Sequence, residues 1–358
     1  MDEIKTLLKE MVDKNASDIF IVAGLPFTYE TEGRQVRDNS KPLMPQDTEG
    51  LIRMIYALAN RSMTHFEESR NQDDDFSFAI PGIGRFRVNV FRQRGSLGAV
   101  IRVIPFSLPR PELLGIPDQV MDCADFKKGL VLVTGPAGAG KSSTLACMID
   151  KINNTTQGHI ITLEDPIEYV HRHGKSIVTQ REVPTDIATY SQALRSAMRE
   201  APDVILLGEM RDQDTISTAV TAAEMAQLIF STLHTTGGAN TIDRIIDAFP
   251  ANQQRQIRMQ LSMVLQAVIS QQLIPTVDGK IAPAFEIMLV NPAIRNLIRE
   301  EKTHQIDSVI AAGGNEGMQT MDQSLFELVR SGRVAKDVAL QYSIHHDALA
   351  KRFQSEGI

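Results

Sequence analysis

Short apolar runs that end in polar residues are the main hydrophobic pattern in the middle of the chain. Four of them are almost continuously apolar, as parallel strands buried on both faces usually are: residues 129–134, 159–163, 204–207 and 228–231. Between these runs apolar residues recur at helical spacing, for instance Leu145, Met148, Ile149 and Ile152. The pattern predicts an α/β core with a mostly parallel sheet.

The first hundred residues alternate helices and strands in a different way. The periodicity predicts helices over residues 1–14, 49–60 and 63–68 and strands over residues 19–22, 28–36 and 99–104. A hairpin is also predicted, because two alternating runs at 76–80 and 85–92 flank the turn sequence at 81–84. We therefore expect a smaller α+β domain over residues 1–105.

A proline-rich stretch of low periodicity, residues 106–117, is the predicted linker between this domain and a second one over residues 118–358. From about residue 253 the second domain is predicted to be mainly helical. A long helical pattern covers residues 253–272, and shorter ones cover residues 291–310 and 321–330.

Composition excludes several classes of protein and favours none strongly. The 358 residues are 42% hydrophobic and 23% charged, as in ordinary globular proteins, and the formal net charge is −7 without a basic block. This charge argues against a general nucleic-acid binder. Two cysteines, Cys123 and Cys147, cannot form a four-thiolate zinc site, and we expect both to be buried. Without a membrane-length apolar run or an N-terminal signal region, the protein is expected in the cytoplasm.

The first apolar run is followed by a complete G-x-x-x-x-G-K-[ST] motif and then by a helical pattern. In such a phosphate loop, backbone N–H groups form an anion nest beside the positive end of the helix. Lys141 is expected to reach the β- and γ-phosphates of a nucleoside triphosphate, and Ser142 to bind Mg²⁺. Nucleotide contacts are predicted for Gly135, Pro136, Ala137, Gly138, Ala139, Gly140, Lys141, Ser142 and Ser143.

Polar residues at the ends of the other three runs supply candidates for hydrolysis. Glu164 is the candidate base or water-orienting residue, although the Asp165-Pro166 pair that follows also suits an ordinary helix start. Glu209 is expected to hold Mg²⁺, through water. His234 is the candidate sensor of the γ-phosphate, and the near-neutral pKa of histidine leaves its exact role open.

Five arginines concentrate in the last strands of the first domain, and two interpretations of them remain open. They form either a solvated sheet face or a cationic wall that closes over the triphosphate from another domain or subunit. The arginines are Arg85, Arg87, Arg92, Arg94 and Arg102. Two histidines, His171 and His173, could suggest a metal site, but no third ligand lies nearby in the sequence. They are predicted to lie on a surface strand or loop.

The order of these motifs resembles the secretion ATPases of type II secretion, type IV pili and type IV secretion. Four segments carry the resemblance: the phosphate loop at 135–142, the acidic box at 161–169, the Walker B segment at 207–212 and the histidine box at 231–235. Further segments are similar to the pilus-retraction members of this family. The PAS-like N-terminal domain of those members is resembled by residues 84–89, and their C-terminal segments by residues 291–300 and 318–325. One departure follows the histidine box, where Thr236-Gly237-Gly238 replaces a usual Asn-Ser.

This resemblance implies a P-loop NTPase (RecA-like) core in a homohexameric ring that binds nucleotide between its two domains. It implies that Glu164 is the catalytic glutamate and that Arg87 and Arg102 face phosphate. The implied function is an ATP-hydrolysing motor that depolymerises type IV pili for twitching motility. Its implied partners are an inner-membrane, PilC-like platform protein, through which it reaches the membrane without inserting, and other pilus motors.

Three alternatives are kept beside this function. The chain is instead an accessory, PilU-like retraction ATPase, a ring ATPase that translocates nucleic acid, or a regulatory partner that does not hydrolyse ATP. The net charge of −7 argues against nucleic acid as a partner. The intact acids and Lys141 argue against the regulatory role.

Overall fold

The computed structural model describes residues 2–31, 33–68, 73–104 and 107–357, which form two units. One unit comprises Met1–Ser107 with Glu168–Val170, and the other comprises Leu108–Ile167 with His171–Ile358. The predicted domain boundary at residues 105–106 lies outside the described residues. The predicted linker contains a short helix at Pro111–Leu114.

Over its described residues, the first unit is an antiparallel sheet with three helices. Its elements are α1 (Asp2–Asp13), β1 (Asp18–Ile21), β2 (Thr28–Thr31), β3 (Arg34–Arg37), α2 (Pro45–Leu58), α3 (Thr64–Glu68), β4 (Asp74–Ile80), β5 (Gly84–Gln93) and β6 (Ser96–Ile104). The strand order is β3-β2-β1-β6-β5-β4. Along β5 buried and partly exposed positions alternate, because successive side chains of a strand point to opposite faces. The predicted α+β pattern of this region is confirmed.

The second unit is built on a seven-stranded sheet. Its strands are β7 (Gly129–Thr134), β8 (His159–Glu164), β9 (Ile177–Glu182), β10 (Val204–Leu207), β11 (Leu228–Leu233), β12 (Leu265–Pro275) and β13 (Ile281–Leu289). The order is β13-β12-β7-β11-β10-β8-β9, and every neighbouring pair is parallel except β12–β13. All positions of β7, β10 and β11 are buried, which explains their continuous apolar sequence.

Helices cover both faces of this sheet and form the C-terminal region. They are α4 (Pro111–Leu114), α5 (Asp118–Asp122), α6 (Lys141–Thr155), α7 (Tyr190–Ala197), α8 (Gln213–Glu224), α9 (Gly238–Asp247), α10 (Ala251–Val264), α11 (Pro292–Arg299), α12 (Ile306–Ala312), α13 (Met321–Arg330), α14 (Lys336–Tyr342) and α15 (His346–Ser355). Two apolar clusters, one on each face, hold most of them to the sheet, and a third joins α13, α14 and α15 to β12 and β13. None of the described helices has the length and apolarity needed to cross a membrane.

The predicted helix over residues 253–272 is wrong in its second half. Helix α10 ends at Val264, and the chain continues directly as β12. The helical period arose because Leu261, Val264, Leu265 and Val268 are spaced three and four residues apart. Partners decide the conformation, since β12 pairs with β7 on one side and with β13 on the other. The strands β9 and β13 were not predicted, and the mainly helical region begins only at Pro292.

The predictions for the two cysteines and for the two histidines have different outcomes. Cys123 and Cys147 are buried, as expected, and burial raises their thiol pKa values to about 12 and about 11. His171, which was predicted at the surface, is buried, whereas His173 is exposed and accepts a hydrogen bond from the N–H of Val178. Burial lowers the pKa of His171 to about 4, and its Nδ1 has no hydrogen-bond partner among the described residues.

Acidification tests the burial of His171. The unfolded chain, in which histidine titrates near 6.5, binds this proton more readily than the folded chain does. Stability from the neutral imidazole is therefore complete above pH 6.5 and is lost as the pH falls towards 4. Between pH 7 and pH 5 we expect the wild type to lose about 2 kcal/mol more unfolding free energy than His171→Leu, measured by urea denaturation. The exposed His304, changed to Gln, is the matched control; equal pH dependence of His171→Leu and wild type would contradict the prediction.

Candidate active site

The loop between β7 and α6 has the geometry of a phosphate-binding loop. Gly140 precedes the first residue of α6 with φ +84°, and Gly135 leaves β7 with φ +140°. A Cβ at Gly135 would lie 2.2 Å from the carbonyl oxygen of Gln271 on β12, so only glycine fits there. A 15-residue helix starts at Lys141 and directs its positive N-terminal end at the loop.

Lys141 lies folded across this loop. Its ammonium Nζ donates to the carbonyl oxygens of Gly135 and Pro136, each at 2.9 Å, and is 3.5 Å from Nδ1 of His234. The residue is 9% exposed. The cation is therefore held at the mouth of the loop, where an anion bound to the N–H groups would meet it.

Gln271 supports the loop from below, and sequence analysis missed it. The buried Thr144 of α6 donates from its hydroxyl to Oε1 of Gln271 at 2.7 Å. A Cβ at Gly140 would come within 3.0 Å of Nε2 of the same side chain. The contact joins residues far apart in sequence on a strand predicted as helix, so no local signal pointed to it.

Glu164 is the last residue of β8, at the carboxyl edge of the sheet where parallel α/β proteins place ligands. Its Oε1 accepts hydrogen bonds from the hydroxyl of Thr162 at 2.6 Å and from Nε2 of Gln180 at 3.2 Å. Thr162 lies on the same face two residues earlier, and Gln180 lies on the neighbouring β9. Both donors stabilise the ionised carboxylate, and both were absent from the sequence prediction.

Glu209 and His234 are brought together by their strands. Nε2 of His234 lies 3.3 Å from Oε2 of Glu209, and Arg211 forms an ion pair with the same carboxylate. The Glu209 side chain is 14% exposed, whereas that of His234 is 55% exposed. Because Nδ1 of His234 faces Lys141, the imidazole lies between the Walker B acid and the phosphate-loop cation. The structure thus joins three of the predicted residues in one chain of contacts.

Hydrogen bonds from a backbone N–H and from a hydroxyl keep the ends of β8, β10 and β11 aligned. The N–H of Gly208 donates to the carbonyl of Leu163 at 2.8 Å, and the hydroxyl of Thr232 donates to the carbonyl of Gly208 at 2.7 Å. A Cβ at Gly208 would lie 2.8 Å from the hydroxyl of Tyr190, so the Walker B backbone passes close to this ring. Burial, aided by the charges of Asp165 and Glu209, raises the pKa of Tyr190, which therefore stays protonated.

The two predicted phosphate-facing arginines lie in the first unit, each beside an acid. Arg87 pairs with Asp75 at 2.6 Å, and Arg102 pairs with Asp18 at 2.9 Å. Arg102 keeps 65% of its side chain exposed and Arg87 keeps 39%. The Arg87–Asp75 pair is exposed on both sides and contributes little stability, so Arg87 can exchange its partner at small cost, whereas the Asp18 side chain is only 12% exposed and holds Arg102 more firmly. Their role towards phosphate stays a prediction.

The site can be compared with known proteins. The family model of the type II/IV secretion system proteins matches residues 1–324. The chain belongs to this family. It is 48% identical to the type IV pilus retraction ATPase PilT of Pseudomonas aeruginosa over 94% of this chain and 97% of that protein. The PilU ATPase of the same organism is 40% identical over 95% and 88% of the two chains.

Similar solved structures agree with this assignment. The crystal structure of the pilus retraction motor PilT with bound ADP matches with a TM-score of 0.87 at 46% identity, over 96% of this chain and 98% of that one. The ATPase DotB of Legionella pneumophila matches with a TM-score of 0.80 at 26% identity, over 95% and 93% of the two chains. The predicted secretion ATPase that resembles the pilus-retraction members is confirmed, and the PilU-like alternative is the weaker match.

The bond between Thr144 and Gln271 is testable by a double-mutant cycle. Thr144→Val or Gln271→Leu alone leaves a buried polar group without its partner, which costs about 1–3 kcal/mol of unfolding free energy. The double variant should lose less than the sum of the two, by about 1 kcal/mol, in urea denaturation. Thr221→Val, on the exposed side of α8, is the control and should change stability little. Strict additivity would show that the two side chains do not interact.

Proposed function

We propose that this chain is an ATP-hydrolysing motor that powers the retraction of type IV pili. The observation that carries the proposal is the likeness to the retraction ATPase over 94% of the chain and 97% of the relative, with each predicted catalytic residue of the second unit present at its strand end. The motor would convert closure and opening of its two domains around nucleotide into work on the pilus.

ATP with Mg²⁺ fits the groups that the second unit places at this edge. The loop N–H groups and Lys141 suit the phosphates, because a cation and a helix N-terminus are already directed at the loop. The hydroxyl of Ser142 and the carboxylate of Glu209 are the oxygen donors that Mg²⁺ prefers. When bound, Mg²⁺ would neutralise charge on the β- and γ-phosphates.

Within this proposal Glu164 orients and deprotonates the attacking water. The hydroxyl of Thr162 and the amide of Gln180, which both donate to its Oε1, orient this carboxylate at the edge of the sheet. His234, between Glu209 and Lys141, reports the state of the γ-phosphate to the loop that follows it.

We further propose a homohexamer in which Arg87 and Arg102 close over nucleotide, as arginine fingers do. Each would exchange its acidic partner, Asp75 or Asp18, for phosphate oxygens. The ring would act at the cytoplasmic face of the inner membrane through a platform protein, with other pilus motors as further partners. Nucleic acid is not among the proposed partners, because the net charge is −7.

Deletion of the gene in the source bacterium tests the proposed function. Without retraction we expect more surface pili by electron microscopy and no twitching on agar. The wild-type gene should restore both phenotypes, whereas Lys141→Ala should restore neither, because the phosphate loop would lose its cation. A deletion strain without pili would indicate an extension motor instead, and unchanged pili and twitching would contradict a role in either direction.

Replacing Glu164 tests the proposed base. Glu164→Gln keeps the size and the hydrogen bonds of the side chain but cannot take a proton from water. We expect kcat for ATP hydrolysis to fall by at least about 100-fold while the affinity for ATP, measured by calorimetry, is unchanged.

The control for this variant is Glu224→Gln, an exposed carboxylate at the end of α8, which should hydrolyse ATP like the wild type. Wild-type turnover by Glu164→Gln would remove Glu164 from the catalytic role.

A further inference from the structure

The loop that follows His234 is tied by its backbone to two neighbouring strands. The N–H of Gly237 donates to Oγ of Ser270 at 3.0 Å, and the N–H of Gly238 donates to Oε1 of Glu286 at 2.7 Å. Ser270 of β12 and Glu286 of β13 are directly opposite each other in the antiparallel pair. Their side chains therefore lie on the same face of the sheet and form one anchor, which we call the Ser270–Glu286 pair.

Close approach of the loop to these strands depends on glycine. Gly237 has φ +88°, in the left-handed region, and a Cβ at Gly238 would lie 2.7 Å from Sδ of Met288. Ser270 is fully buried and Glu286 is 3% exposed. Both side chains of the anchor are thus almost completely shielded from bulk solvent, so loss of either hydrogen bond would be costly.

Glu286 serves a second helix with the same carboxylate. The backbone N–H of Met321, the first residue of α13, acts on it to lower its pKa, as does the N–H of Gly238, the first residue of α9. Partial positive charge at both helix N-termini favours a carboxylate between them. Burial nevertheless raises the pKa of Glu286, and the nearby Asp307 and Asp322 act in the same direction. Burying a carboxylate here costs folding free energy. The two backbone groups that it faces belong to the starts of α9 and α13, which it therefore holds in place.

We propose that Glu286, with Ser270, is a positioning residue that fixes His234 for ATP hydrolysis; the inference rests on the hydrolytic role proposed above for this site. The imidazole of His234 is 55% exposed, so packing does not hold it. Its backbone is fixed on one side by the end of β11 and on the other by the anchored Gly237 and Gly238. The contacts of His234 with Lys141 and Glu209 depend on both ends.

The same carboxylate connects His234 to the C-terminal helices. Next to Met321, the carboxylate of Asp322 accepts the N–H groups of Ile344 and His345, just before α15. A displacement of α13 would therefore act on the start of α9, and through the loop on His234, by way of Glu286. Since positioning errors of about 1 Å can cost on the order of 100-fold in rate, a modest change at this anchor should be visible in kcat.

Steady-state kinetics of the full-length chain test the inference. Glu286→Gln keeps an acceptor but loses the charge shared by two helices, and we expect kcat to fall about tenfold with KM for ATP within about twofold of wild type. Ser270→Ala should give a smaller loss of the same kind. In a His234→Ala background, Glu286→Gln should lower kcat no further, because its effect passes through His234.

The matched control is Ser324→Ala. Its hydroxyl accepts the N–H of Phe285, the residue before Glu286, so it also joins β13 to α13, whereas the N–H groups of Gly237 and Gly238 donate to Ser270 and Glu286 instead. We expect wild-type kcat from this variant. Should Glu286→Gln fail to fold in circular dichroism, Ser270→Ala alone and combined with His234→Ala decides the question.

Wild-type kcat in Glu286→Gln, or effects that multiply with those of His234→Ala, would overturn the inference and leave the proposed function intact. A wild-type chain that hydrolyses ATP in these assays but does not drive retraction in cells would contradict the proposed function and leave the inference about Glu286 intact.

Discussion

The register of the parallel strands β8, β10 and β11 is the constraint on which the site depends. Their residues pair without a shift up to the ends of the strands, and the bonds at Gly208 carry this alignment one residue further. Glu164, Glu209 and His234 therefore leave the sheet at the same edge, beside the loop that follows β7. A slip of one residue would turn each side chain to the other face and dissolve the site.

Because this edge grows from strands buried on both faces, its polar groups must be satisfied within the protein. Thr144 with Gln271, Thr162 with Glu164, and the Ser270–Glu286 pair each meet this requirement near a functional group. The same contacts restrict the orientation of the groups they hold. The hydrogen bonds that satisfy these buried groups therefore also position the functional side chains.

The sequence predicted what local pattern encodes. The strand ahead of the phosphate loop and the acids at strand ends were found, because continuous apolar runs are distinctive and the motif is specific. Gln271 and Glu286 were missed, since their partners lie 127 and 48 residues away and depend on which strands pair. Strand β12 was predicted as helix because its first apolar residues continue the period of α10, and only its sheet partners decide otherwise.

Phosphate release by the purified chain tests the central claim most directly, namely that these strand ends form a hydrolytic site. With ATP and Mg²⁺ the wild type should turn over repeatedly, while Lys141→Ala, which lacks the cation between the phosphate loop and His234, should release phosphate only at background rate. A folded wild-type protein that binds ATP without releasing phosphate, or equal release by Lys141→Ala, would contradict the account.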